Sequence, residues 1–327
     1  MIKSLGKYEK RLAIFLAIGI LIRIFISTKT AYYQDINIFK LWSLDLITQG
    51  FRNFYSVAIS DYLPGYLYVV WFLGKVFWWF LNKGVLLPFE LVYKSPSILT
   101  DVATTLLIFQ ITKEYTNKKI AYLTSLFYFL NPVFFFNSTI WGQVESYTFF
   151  FMLLATFFFL RKNYFMSFAV LGYAQSIKPI AILILPIFLL LLILEKIQFK
   201  KILFYSLVFI LVVFAVFTPF NPGENIISFV IERHGITSSF YQLTSLNAFN
   251  FWAMFSTLPS GNTYKLSDQT EFLNITYQYW GYAVFLSFYL GILYFLIKRF
   301  VNYEKNKIYI FYLLIDCSVS QRPPKTF

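Results

Sequence analysis

Hydrophobic and polar positions along the chain alternate in long blocks rather than with a short period. Apolar runs cover approximately 11–28, 65–81, 92–112, 119–137, 144–160, 164–179, 180–196, 201–219 and 280–298. A helix needs roughly 17–25 mainly apolar residues to cross a bilayer, and these runs have about that length. Short basic clusters separate them: "KEYTNKK" at 113–119, "RK" at 161–162, "EKIQFKK" at 195–201 and "KRFVNYEKNK" at 298–307. The pattern predicts an all-α polytopic membrane protein, with residues 1–327 as a single transmembrane domain. A last apolar run at 307–316 stops after about half a span, at "CSVSQRPPKTF". The sequence therefore reads as a fragment, or as one with an altered C-terminus.

The basic clusters orient the spans, because cytoplasmic loops are enriched in Lys and Arg. If every run crosses, "KEYTNKK" falls on the same side as Lys29 and Asp35, opposite the basic tail "MIKSLGKYEKR". Removing one crossing before residue 92 repairs every later loop. The segment to remove is 65–81, which carries Lys75 in its middle and three of the seven tryptophans. Trp favours the membrane interface, so this segment is expected to lie along the outer surface as an interfacial helix. Eight spans remain, with the N-terminus cytoplasmic and two long extracytoplasmic loops, 29–91 and 220–279. The inner loops are connectors, so function is expected outside.

Composition supports this picture and removes alternatives. With 58% hydrophobic and 13% charged residues, a soluble domain could not cover its apolar surface. The net charge of +13 is accounted for by the inner basic clusters, so a nucleic-acid partner is not needed. A single cysteine, Cys317, excludes an intramolecular disulfide framework. A single histidine, His234, excludes His-cluster zinc chemistry. No Gly-rich phosphate loop or nucleotide-binding fingerprint occurs.

Against so apolar a background, each polar residue near the membrane needs a reason. Asp35 stands a few residues past the end of the first run. Lys94 and Asp101 stand seven residues apart on one helical face, either as a polar stripe lining a cavity or as a structural pair, with Arg23 as a partner from the first span. In "NPVFFFNSTIWGQVESYTFF", Asn131-Pro132 disturbs the helix. Trp141, Gln143 and Glu145 then form either an active-site turn that stacks on and binds a sugar or a metal, or an ordinary helix start with a favourable carboxylate. Lys178-Pro179 falls at an outer turn, as a phosphate ligand or a snorkelling lysine. Arg233 and His234 are candidate anion ligands. Asn247 and Asn250 share a helical face if their stretch is helical. The N-x-[ST] matches at Asn137 and Asn274 are short enough to arise by chance.

Together these residues resemble the GT-C superfamily of membrane glycosyltransferases, which take a sugar from a polyprenyl-phosphate carrier. Within it, the chain is most similar to prokaryotic mannosyltransferases related to the second GPI-anchor mannosyltransferase. The resemblance rests on Asp35 after the first span, "DYLPGYLY" at 61–68, "KSPSILTD" at 94–101, "NPVFFFNSTIWGQVES" at 131–146, "KP" at 178–179 and "SLNAFNFW" at 245–252. It implies a catalytic base at Asp35 and a helical first outer loop, and it places Glu145 where related enzymes carry an acidic motif. A His-Glu-Arg-Tyr type motif, usual near the end of such enzymes, is absent from this sequence.

The expected activity is therefore transfer of a hexose, with mannose a candidate, from a polyprenyl-phosphate carrier to a lipid or glycan acceptor hydroxyl, with inversion. Lys178, Arg233 and His234 are the candidate phosphate ligands, with Lys94 ranked behind them, and Trp141, Gln143, Glu145, Asn247 and Asn250 stand around the sugar. A divalent cation is compatible with Glu145 but not obligatory, since the donor has one phosphate. The rival readings are a transporter or flippase of lipid-linked sugars and a non-catalytic partner in polysaccharide assembly.

Overall fold

A computed structural model describes residues 6–244 and 266–302. Asn247, Asn250, Cys317 and the run at 307–316 lie outside the described residues. The fold is all-α, as the block pattern predicts. The chain divides into two compact units, Met1–Ser238 and Ser239–Phe327.

The first unit begins with α1 (Lys7–Ser27). Three helices then fill the first long loop: α2 (Tyr33–Thr48), α3 (Gly50–Val57) and α4 (Pro64–Asn82). The helix expected at 65–81 is α4, which starts on Pro64, where the missing N–H costs nothing. The apolar pattern does not announce α2 and α3. Next come α5 (Phe89–Tyr115) and α6 (Lys118–Leu130), the latter capped by the Asn117 side chain on the Lys119 and Ile120 amides. The unit continues through α7 (Pro132–Phe135), a π-turn (Phe136–Trp141), α8 (Glu145–Leu160), α9 (Tyr164–Ile177), a 3-10 turn (Pro179–Leu183), α10 (Ile184–Leu194), α11 (Phe199–Phe217) and α12 (Ile226–Ser239).

Among the described residues, two stretches are long and apolar enough to span a membrane by themselves, Phe199–Phe220 and Tyr277–Lys298. A third is the pair Lys118–Leu130 and Pro132–Trp141, bent by 45° at Asn131. The other expected spans are helical but fall short of that criterion. Charge interrupts α1 at Lys10, Arg11 and Arg23, whereas α8 and α9 have only 16 and 14 residues.

Small residues let the helices of this unit close on one another. A Cβ on Gly172 of α9 would lie 2.7 Å from the Phe209 carbonyl of α11. At Gly74 of α4 it would meet the Ser43 side chain of α2 at 2.6 Å. At Gly65, the second residue of α4, it would lie 2.6 Å from the Ser176 carbonyl near the end of α9.

A buried polar knot fixes the bend. Pro132 has no N–H, and the Val133 amide turns to the Asn131 side chain, so the Phe129 carbonyl loses its helical donor. Arg23 takes that place with Nη2 (2.9 Å). Its Nη1 donates to Asp101 Oδ2 (2.8 Å), Ser138 Oγ (2.8 Å) and Thr139 Oγ1 (2.9 Å). Its guanidinium lies over the Phe129 and Phe135 rings at 4.6 and 4.8 Å. Ser138 and Tyr128 hydroxyls donate to Asp101 at 2.5 and 3.0 Å. Arg23 and Asp101 are 1% and 0% exposed. Lys94, equally buried, joins no stripe with Asp101. Its ammonium donates to the carbonyls of Ser27 (3.3 Å), Thr139 (3.1 Å) and Thr30, where the end of α1 favours a cation.

In the second unit, β1 (Glu271–Phe272) and β2 (Ile275–Thr276) form an antiparallel hairpin. Its turn residues, Leu273 and Asn274, both have positive φ. The chain then enters α13 (Tyr277–Asn302).

Candidate active site

The π-turn after the bend carries the site. The Asn137 carbonyl accepts from both the Gly142 and Gln143 amides, at 2.9 and 3.0 Å, which closes the turn. Gly142 adopts φ +91°, and a Cβ there would lie 2.9 Å from Ile36 Cδ1 and 3.0 Å from Lys94 Cγ. Only glycine meets both demands. Ser97 donates to the Gln143 carbonyl (2.6 Å) and ties the turn to α5. This backbone presents Trp141 and Gln143 together.

Both side chains reach Asp35, in the first turn of α2. Trp141 Nε1 donates to Asp35 Oδ2 at 2.8 Å, and Gln143 Nε2 donates to the same oxygen. Tyr32 and Phe136 pack on the Trp141 ring, with centroids 5.3 and 6.1 Å away. Burial pushes the Asp35 carboxyl above its usual range, against the pull of the two donors; Glu145 raises it further and Lys178 lowers it. Asp61, in the link before α4, is also pushed up by burial and responds to Lys178 and Asp35.

Glu145 opens α8 and Lys178 ends α9, and the two form an ion pair. The Asn137 amide donates to the other Glu145 oxygen (3.3 Å). The Lys178 ammonium lies 5.8 Å from the centre of the Tyr62 ring. Glu145 thus faces a cation and an amide. Among the described residues no group of three His, Cys, Asp or Glu gathers to hold a metal ion.

Arg233 and His234, on α12, stand one layer away. The Arg233 guanidinium covers the Tyr55 ring at 4.5 Å and pairs with Glu232 at 3.2 Å. Tyr55 in turn donates to the Tyr62 carbonyl (2.7 Å). His234 stacks on Phe217 (5.5 Å), with Nδ1 2.8 Å from the Val230 carbonyl and Nε2 3.0 Å from Gln175 Nε2. A carbonyl oxygen only accepts, so Nδ1 donates to Val230.

The structure therefore brings together Asp35, Trp141, Gln143, Glu145 and Lys178. It keeps Arg233 and His234 against Tyr55 and Gln175, one layer away, and ties Lys94 and Asp101 into the scaffold. The sequence reading did not single out Tyr62, Asp61 or Asn137. The first two lie in the "DYLPGYLY" block, and Asn137 lies in "NPVFFFNSTIWGQVES" and in an N-x-[ST] match.

Residues 74–220 match the family model of dolichyl-phosphate-mannose-protein mannosyltransferases. The matched stretch contains Lys94, Trp141, Gln143, Glu145 and Lys178, whereas Asp35 precedes it. No curated protein matches the chain. The similarity supports a membrane glycosyltransferase of the GT-C type.

Proposed function

We propose that this protein transfers a hexose from a polyprenyl-phosphate carrier to an acceptor hydroxyl at the extracytoplasmic face of the membrane. Asp35 is the general base. The acceptor oxygen attacks the anomeric carbon while its proton passes to the Asp35 carboxylate. The bond from that carbon to the carrier phosphate breaks on the opposite face, so the configuration inverts. Lys178 stands ready for the charge that develops on the departing phosphate, and stabilising such charge is often a large part of catalysis. Glu145 holds Lys178 until the phosphate arrives. The carrier phosphate supplies the leaving group, so this scheme routes no step through a metal.

The observation that carries the reading is the cluster itself. A carboxylate raised by burial and an ammonium sit within electrostatic reach of each other, at the ends of α2 and α9. A base and a phosphate ligand are the two groups that this reaction needs. The family whose model matches residues 74–220 is described as using dolichyl-phosphate-mannose, which favours mannose as the first sugar to test.

The test is transfer by the purified full-length protein from a panel of polyprenyl-phosphate sugars. Asp35→Asn should lower kcat by at least about a hundredfold while the protein remains folded. Full activity in that variant would reject the assignment. Labelled sugar that crosses the membrane without covalent transfer would point to a transporter instead.

A further inference from the structure

Within the first long loop, Tyr62 is linked to Asp35 through Gln143. The Tyr62 hydroxyl donates to Gln143 Oε1 at 3.3 Å. An amide held by its oxygen in this way turns its NH2 to the other side, and that NH2 is the group on Asp35 Oδ2. The Trp141 indole occupies the same oxygen. Among the described residues no hydrogen bond reaches Asp35 Oδ1. Tyr62 is itself fixed at three levels. Its ring packs on Phe39, Trp42 and Tyr66 at 5.6, 5.3 and 6.0 Å. Its amide bonds to the Ser60 hydroxyl (3.2 Å), and its carbonyl accepts from Tyr55. Burial holds its phenol well above the ordinary range, so it stays a donor wherever the protein works.

We propose that Tyr62 is a positioning residue for the candidate base. Acting through Gln143, it saturates one oxygen of Asp35 and leaves Oδ1 as the oxygen that takes the acceptor's proton. Gln143 and Trp141 are on this account orienting groups of the carboxylate, not ligands of the sugar. The inference rests on the transferase reading above. It adds that the loop before α4, outside the stretch that matches the mannosyltransferase family, sets the direction of proton transfer.

The experiment measures transfer from a polyprenyl-phosphate hexose as a function of pH, with purified full-length protein. It compares wild type, Tyr62→Phe, Gln143→Ala, the double variant and Asp35→Asn. Phenylalanine keeps the ring among Phe39, Trp42 and Tyr66, so Tyr62→Phe tests the hydroxyl alone. That variant should lower kcat about tenfold and leave the donor KM within about twofold, the loss expected for one hydrogen bond. The ascending limb of its kcat profile should move to higher pH, because an amide released from Tyr62 no longer holds the carboxylate in its charged form. Gln143→Ala should move the limb the same way, and Tyr62→Phe should add nothing on that background. An unmoved limb in both single variants overturns the inference, as does full additivity in the double variant. Asp35→Asn separates the two levels. If that variant transfers sugar, the transferase reading falls. If it is inactive while the limb stays in place, only the role of Tyr62 falls.

Discussion

Two acid–base pairs anchor the stretch from Asn131 to Glu145, and they are built in opposite ways. The Arg23–Asp101 pair below the bend is fully enclosed, and each partner has several further bonds from hydroxyls or a carbonyl. The Glu145–Lys178 pair beyond the turn is 47% and 28% exposed and has one amide beside it. Burying an ion pair is costly unless its remaining valences are met, and the first pair meets them. A saturated pair has nothing left to offer a ligand. The second pair keeps capacity in reserve, which is the condition for exchanging a carboxylate for a phosphate. The contrast sets a pair closed on itself against one that a ligand can still reach.

The sharpest way to break the comparison is Arg23→Ala. It strands Asp101 and frees the Phe129 carbonyl, so it should cost about 3–5 kcal/mol of stability, read as a large fall in thermal midpoint in detergent. A midpoint near that of wild type would show that the pair is no keystone. Gly142→Ala comes next. A side chain at φ +91° against Lys94 and Ile36 should cost about 1–3 kcal/mol, and transfer should fall as Trp141 and Gln143 move off Asp35. Glu145→Gln should change stability by less than about 1 kcal/mol, as exposed pairs do, yet raise the donor KM by loosening Lys178. Comparable stability losses at Arg23 and Glu145 would erase the distinction drawn between the pairs.

The smallest expected effect concerns pH. The folded state raises the Asp35 carboxyl above its ordinary range. Folding therefore favours the protonated form, and this contribution is present below the unfolded value and lost as pH rises through the folded one. Asp35→Asn carries no such charge. At neutral pH it should melt slightly above wild type, and the difference should vanish in acid. A variant that melts lower at neutral pH would show that the carboxylate stabilises its own site.

Much of the helical layout was legible because apolar runs and caps are local properties of a sequence. The break at Asn131-Pro132 was legible for the same reason. Partner choice was legible only in part: the sequence offers Arg23 as a partner, and Asp101 meets it, but nothing in the spacing separates Lys94 from Asp101. Lys94 and Asp101 share a helical face at seven residues' spacing, but about 10 Å of helix axis lies between them. One meets the end of α1 and the other meets Arg23. Nor could spacing announce that Tyr62 touches Gln143, 81 positions away, since that contact depends on how the first-loop helices pack. The resemblance implies helices in the first outer loop, but the apolar pattern does not delimit α2 and α3, because their apolar residues are interleaved with Asp35, Lys40, Asp45 and Arg52. Those charges break the long runs on which the block reading depends.

The contact at Gly65 bears on how the site would respond to movement. Backbone meets backbone there, with no flexible side chain between the start of α4 and Ser176, two residues before Lys178. A joint this close leaves no room for a side chain at Gly65, so the start of α4 bears directly on the backbone that leads to the lysine. The mirror of this closeness is that a bulky wedge at Gly65 would throw the two helices out of gear.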